Sequence, residues 1–514
     1  MSWSSLPNKS QLLILATCRL SEPLSNTTLL AYIYYLLQHI FSNSSSNTSS
    51  NAEIARRSGL LVAIFPLAQF ITSLPWGWLS DVYGRKPVIV LGLVISVLAN
   101  IGFGFSQSFG ALMFWRCVSG LANGNTSVMR TMTAEIVKER KYRARAFLLL
   151  PLIFNTGRVA AMALGGLLAD PVKHLPFLFG DSGIFNTANN SGGVPWTIKY
   201  PYALPVVVNS AVITFSLFIA IIGLRETAPC RIECNTGGKI ISKHIVELSR
   251  KIQQMYSFNR YSPIKNDEEQ LEDSEEKRYV DTTRPLYSTI VTRDLVRALV
   301  SFALLPLHNA AFTHLFSVFL STPISTENPT NAISFMGGLG LSPQSLGLCI
   351  SLTGLIGIVL KFFTYPPLQT RFGSLKTLRL ALCMFPLTYF ATPFLALIPE
   401  HSIWRWPGVV GVLFTQIMAR GFAIPSSVMI LTDTSPRKEV LGTVHGAGNM
   451  LGSLSKSVAP VIGGWVFAWG MEATCVGAVW WLWLTPVAFV SLAWSYLLTD
   501  ADEQESPLIS EAKS

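Results

Sequence analysis

The chain reads as an all-α membrane protein of twelve transmembrane helices, arranged as two pseudo-symmetric six-helix bundles. Three observations predict this. Half of the 514 residues are hydrophobic and 13% are charged, with a mean hydropathy of +0.41, a balance that leaves a soluble globule too little polar surface. Apolar stretches of roughly the 20 residues needed to cross a bilayer recur along the chain. They fall as six, a long polar interval, and six more.

The stretches lie at 13–38, 58–79, 87–107, 110–134, 146–169 and 202–224, then at 297–320, 344–366, 377–398, 408–431, 442–468 and 475–498. They bound an N-terminal bundle over 1–224, a linker over 225–296, a C-terminal bundle over 297–498 and a tail over 499–514. The linker is rich in charge and holds the acidic run Asp267 to Glu276, so it reads as cytosolic and partly disordered. The first stretch is long, is interrupted by Arg19 and Glu22, and lacks a small-residue cleavage site. It reads as a retained helix rather than a signal peptide.

Basic loops resist translocation, which orients the chain. Outside the linker, segments on the side of the N-terminus carry thirteen Lys and Arg, and those on the opposite side carry five: Arg56, Arg57, Lys173, Lys199 and Arg405. Both termini are expected in the cytosol, and the net charge of +10 reflects topology rather than nucleic-acid binding. Sequons at Asn43, Asn47 and Asn189 fall in loops assigned to the far side, where a lumenal enzyme would glycosylate them. Seven cysteines, an odd number placed mostly in apolar stretches, give no disulfide framework. Cys230 and Cys234 lack a second pair with which to build a metal site, so neither metal nor cofactor is expected.

Between the second and third stretches stand Gly77, Asp81, Gly84, Arg85 and Lys86. Gly84 permits a tight turn, and Asp81 near a helix end can pair with a neighbouring cation, making a gating latch that breaks and re-forms. The second half repeats the plan: Gly373 falls where Gly84 does, with Thr370 in place of Asp81. Gly165 and Gly166 likewise match Gly463 and Gly464, and Arg158 and Lys456 each precede the first glycine of their pair by seven residues. Such repeats are the trace of two halves rocking about a central site.

The Gly77 to Lys86 segment resembles the major facilitator superfamily signature G-x-x-x-D-x-x-G-R-[RK]. Arg116, Gly120, Gly124 and Asn125 resemble the family's R-x-x-x-G-x-x-x-G-N pattern. The segments Cys18 to Pro23, Leu441 to Gly446 and Ser453 to Pro460 are similar to fungal members of its drug:proton antiporter group, akin to the plant zinc-induced-facilitator-like proteins. The likeness covers nearly the whole chain except the linker and the 170–200 loop. It implies the major facilitator fold and proton-coupled transport of an organic small molecule by alternating access. One departure stands out: the antiporter motif G-P-x-x-G-G reads Ala161 to Gly166 here without its Gly-Pro. A kink or close helix contact is therefore expected to be missing, which weakens the case for export by antiport.

Charges inside a membrane are costly and mark functional candidates. Glu22 is the one carboxylate placed deep in a stretch, and Arg19, three residues earlier, shares its helix face. Glu22 is the candidate proton site, with Arg19 as its partner; the alternative is that the two merely neutralise each other. Arg116, Arg158, Arg420 and Lys456 are deep cations, and their surplus charge favours an anionic substrate such as a carboxylate. Alternatively, Arg116 and Lys456 hold helices together by bonding carbonyls and amides. His308 and Gln416, with Tyr32, Tyr34, Tyr35, Asn309 and His314, lie on helices that line the cavity in the resembling family.

The expected partners are a small-molecule substrate, protons and the lipid bilayer, with no nucleic acid, for a monomeric chain. An enzyme is not expected, because the seven His are scattered. A broad exporter of neutral lipophilic drugs and a transport-dead sensor of the same fold are the alternative functions. The plasma or vacuolar membrane is the expected location, and the peroxisomal membrane the alternative.

Overall fold

The computed structural model describes residues 8–42, 50–137, 140–187, 190–227, 292–325, 333, 335–434, 441–473 and 475–499. The described chain is built of helices. In the N-terminal half these are α1 (Lys9–Arg19), α2 (Ser21–Thr27), α3 (Ile33–Ser42), α4 (Asn51–Tyr83), α5 (Arg85–Gly104), α6 (Phe109–Ala122), α7 (Asn125–Ile136), α8 (Arg140–Leu168) and α9 (Ala203–Gly223). The C-terminal half holds α10 (Arg293–Ser321), α11 (Pro343–Ala391), α12 (Arg405–Asp433), α13 (Leu441–Glu472) and α14 (Thr485–Ser495). Every one of the twelve predicted stretches is helical over most of its length. Among the described residues, six stretches of helix are long and apolar enough to cross a membrane: Asn51–Ser73, Arg85–Gly104, Ala203–Gly223, Arg293–Ser321, Pro367–Leu397 and Arg405–Asp433.

Several other stretches fall short of that length because they are broken, and the breaks have chemical causes. Pro23 has no N–H to give the carbonyl of Arg19, so α1 stops there and α2 restarts one residue later. The break sets Arg19 and Glu22 beside freed backbone groups. The fourth stretch divides at Asn123 and Gly124; a Cβ on Gly124 would overlap the Trp76 ring, so the glycine admits α4 at close range. Asn125 fills the space left by Gly92 of α5. These contacts give the Arg116 to Asn125 pattern its packing role.

The turn between α4 and α5 is made by Gly84 at φ 98°. Within α11, Gly373 takes φ 77° and ψ 170°, so the eighth and ninth stretches meet at the same kind of glycine turn, as the repeat predicts. The described residues of the N-terminal half end at Thr227. Beside it, the Glu226 carboxylate accepts from the backbone N–H groups of Arg85 at 2.9 Å and Lys86 at 3.1 Å and so caps α5. Residues 228–291, the remainder of the predicted linker apart from the start of the C-terminal half, lie outside the described residues.

The paired glycines are where helices approach most closely. The first of each pair packs inside its own half: Gly165 against the Thr28 carbonyl, and Gly463 against Leu315 and Ala311 of α10. The second packs across the halves. A Cβ on Gly166 would overlap the Pro343 carbonyl oxygen and lie 2.8 Å from Gly347 Cα. One on Gly464 would lie 2.7 Å from the Ala55 carbonyl oxygen, with Gly59 Cα beside it. The α8–α11 and α4–α13 crossings are thus counterparts. This corrects the expectation drawn from the missing Gly-Pro: the close contact is present, because Gly166 and Gly347 supply it without the proline.

Other bonds between the halves gather toward the same end. Tyr35 Oη donates to the Leu341 carbonyl, His314 Nε2 meets Ser58 Oγ at 2.9 Å, and Arg56 pairs with Glu472 at 2.6 Å. Toward the opposite end, where Gly84 and Gly373 turn, Arg130 and Lys456 are exposed. The halves are joined at one end and admit solvent from the other.

The crossings give a test. Gly166→Leu forces side-chain volume between touching backbones, which costs about 1–3 kcal/mol, and should lower the melting temperature of the purified protein. Gly411→Ala, where a Cβ meets nothing within 4 Å, should leave it unchanged or raised.

Candidate functional site

A cavity lies between the halves and opens on one side, with about 650 Å³ of empty space when the adjoining open solvent is included. The N-terminal half contributes Asn155, Arg158 and Met162 of α8; the C-terminal half contributes Phe312, Phe316, Gln416 and Arg420, among others. Phe312 and Phe316 are stacked, with centroids 5.1 Å apart, and form an apolar wall. Arg158 and Arg420 face each other closely enough for their charges to interact, although they belong to opposite halves. Gln416, one turn before Arg420, donates to Asn309 Oδ1 at 3.0 Å. A second hollow, lined by His39, Gln107, Lys199 and Tyr202 among others, sits at the joined end and draws on the N-terminal half alone.

At the α1–α2 break, Glu22 is ion-paired with Arg19. Thr126 of α7 joins the two, donating to Glu22 Oε2 at 3.0 Å and lying 3.1 Å from Arg19 Nη1. The Arg19 guanidinium also lies 4.8 Å from the Phe154 ring centroid. Both side chains are largely buried, at 10% and 13% exposure. Arg130 and Lys456 stand within electrostatic range of this pair, and Lys456 also feels Arg158. Glu22 is therefore the acid in a field of bases spanning both halves.

Arg116 belongs to a different structure. It is 2% exposed; it donates to the Ser25 carbonyl and Asn26 Oδ1 at 2.9 Å each and to the Leu61 carbonyl at 3.4 Å. The Phe65 ring covers its guanidinium at 4.9 Å. Its donors tie α2 and α4 to α6. His308 is likewise set back: it is buried, 2.8 Å from Tyr389 Oη, and packed edge-on against Phe385. It does not line the cavity, and Tyr389 separates it from Phe312, on which Tyr389 stacks.

Around the Gly84 turn, Arg85 bonds Glu135 Oε1 at 3.1 and 3.3 Å and Ser80 Oγ at 2.6 Å, while Lys86 Nζ donates to the Ile221 carbonyl at 2.7 Å. A Cβ on Gly84 would press within 2.6 Å of the Glu226 carboxylate, so the positive φ and the close acid both demand glycine. Gly77 has open space around it. The side chain of Asp81 lies outside the described residues, as do Asn43, Asn47 and Asn189.

Sequence reasoning missed Arg130, Thr126, Asn155, Glu135 and Glu226. A signal existed for Arg130, a base within the fourth apolar stretch like Arg116. Thr126 and Asn155 are uncharged, and Glu226 sits in what reads as linker, so each is recognisable only once its helix is placed.

The family model of the Major Facilitator Superfamily matches residues 15–194 and 307–513. The chain is 28% identical over 510 residues to a major facilitator superfamily multidrug transporter of Aspergillus fumigatus, covering 93% of this chain and 81% of that one. It is 22% identical over 450 residues to the zinc-induced facilitator protein of Arabidopsis thaliana, covering 88% and 82%. Among solved structures, the human organic anion transporter MFSD10 superposes with a TM-score of 0.58 at 16% identity, covering 96% of this chain and all of that one.

Arg116 and Arg158 look alike in sequence and should behave differently. Arg116→Met leaves buried carbonyls without donors, at about 1–3 kcal/mol each, and should sharply lower thermal stability. Arg158→Met should melt near the parent and lose ligand binding instead.

Proposed function

The chain belongs to the Major Facilitator Superfamily and is an integral membrane transporter, and from that premise we propose that it moves an anionic, carboxylate-bearing organic molecule in a cycle coupled to protons. The observation that carries the reading is the cavity between the halves, to which Arg158 and Arg420 each bring a guanidinium. Arg can grip a carboxylate through two parallel hydrogen bonds. An anion between two such groups offsets part of what their partial burial costs. The likeness to the multidrug transporter of Aspergillus fumigatus is consistent with an organic cargo.

Glu22 supplies the proton step. Its ionised form is held by Arg19 and Thr126. Protonation removes the attraction and frees Arg19, while Thr126 sits on α7 and can transmit the change to the helix that carries Arg130. Both termini face the cytosol in this reading, so the solvent-admitting end is cytosolic. Asp81 and the turn at Gly84, Arg85 and Lys86 act there as the gate, with Arg85, Glu135 and Glu226 holding the turn to its own half.

Purified protein in liposomes, supplied with a mixture of organic acids and their neutral esters, tests the reading. Acids should accumulate against a gradient when a pH difference is imposed. Glu22→Gln, which fixes the uncharged form, should keep exchange of labelled for unlabelled acid and lose gradient-driven accumulation. Accumulation that persists in Glu22→Gln places the proton elsewhere. Esters carried as well as acids, by the parent and by Arg420→Lys alike, would instead favour neutral lipophilic cargo.

A further inference from the structure

We propose that the substrate carries at least two negative charges and bridges the halves, engaging Arg158 and Arg130 from one and Arg420 and Lys456 from the other. This rests on the reading that the substrate is an anion and adds its valence.

The first observation is what these four bases lack. Among the described residues none of them forms an ion pair. Other bases set in the helices do find partners. Arg116 has carbonyls and an amide, Arg405 has the Leu339 carbonyl, Arg379 has the carbonyls of Ser495 and Leu498, and Arg19 has Glu22. The fold thus provides acceptors for these cations, whereas among the described residues Arg158 and Arg420 line the cavity and Arg130 and Lys456 stand exposed without an ion pair. Glu22 attracts Arg130 and Lys456 at a distance, but the bonds it forms are to Arg19 and Thr126, so one carboxylate is shared among three bases.

The second observation is their arrangement. Arg158 of α8 and Lys456 of α13 occupy equivalent places in the repeat, seven residues before the glycine pairs, and Lys456 feels the charge of Arg158. Like charges therefore oppose each other across the halves, Arg158 against Arg420 in the wall of one cavity and Lys456 against Arg158 and Arg130, with Glu22 as their one attraction. A single carboxylate can neutralise one side and leaves the repulsion on the other. Two anionic groups joined by a short spacer satisfy both halves at once and draw them together, which couples occupancy to closure. The stacked Phe312 and Phe316 give a flat spacer a wall to lie against.

Three probes of one size separate the possibilities: terephthalate with two charges, its monomethyl ester with one, and its dimethyl ester with none. Binding to the full chain in detergent is measured by calorimetry at neutral pH, with circular dichroism confirming each variant's fold. Terephthalate should bind about tenfold or more tightly than the monomethyl ester, the scale expected for one added charge-assisted pair. Lys456→Met should bring that ratio close to one, and Lys456→Arg, which keeps the charge, should retain it. Equal affinity for terephthalate and the monomethyl ester, with the dimethyl ester weaker, overturns the two-charge proposal and leaves the anionic reading standing. Equal affinity for all three overturns the anionic reading itself. A folded protein that binds none of them contradicts the proposal as well, since four unpaired bases must attract a dianion of this size.

Discussion

The architecture depends on backbone meeting backbone at two glycine crossings. Where Gly166 meets Gly347 and Gly464 meets Gly59, no side chain stands between α8 and α11 or between α4 and α13. Small residues at a helix crossing allow the close van der Waals contact that holds helices together in lipid, where burial of apolar surface gives no advantage. Smooth contacts of this kind also let two rigid bundles tilt with little rearrangement of side chains. The first glycine of each pair, Gly165 or Gly463, seats the same helix against the opening helix of its own half. One dipeptide therefore fixes a helix both within its bundle and against the other.

The charges follow from that geometry. Seven residues along a helix is about 10 Å, so Arg158 and Lys456 sit two turns from the crossings, at matching depth and on the solvent-admitting side. Placing bases there from both halves makes the space between them hostile to closing empty. Glu22 lies at the α1–α2 break, beside backbone groups freed by Pro23, and ties Arg19 and Thr126 into one unit. In the proposed function its protonation changes the charge of the space and releases that unit. In that proposal substrate charge and proton charge act on one electrostatic balance, which is the physical form of coupling between them.

Much of this was legible in the sequence, for reasons particular to each residue. The glycine turns at Gly84 and Gly373 and the Gly165 and Gly463 pairs show in the repeat, because the two halves reuse one packing solution. Glu22 and the interior bases show because a charge in an apolar run has few bland explanations. The use of each base does not show. Arg116 and Arg158 differ in whether a carbonyl lies within reach, which depends on the path of α2 and α4 around α6 rather than on neighbours in the chain. The close α8–α11 contact survived loss of the Gly-Pro because Gly347, nearly two hundred residues away, supplies the second flat surface. Glu226 escaped notice because its partner is the N-terminus of a helix far earlier in the chain.

The central claim is that the halves pivot on the glycine crossings, with opposite ends opening in turn. Pulsed electron resonance tests it directly, using one pair of spin labels at the exposed positions Gln107 and Ile403 on the joined end and another at Val82 and Phe372 on the other. Distances are compared with and without terephthalate, at pH values on either side of the titration of a carboxylate. The account predicts that the two distances change in opposite senses, one lengthening as the other shortens. Distances that lengthen or shorten together would contradict it.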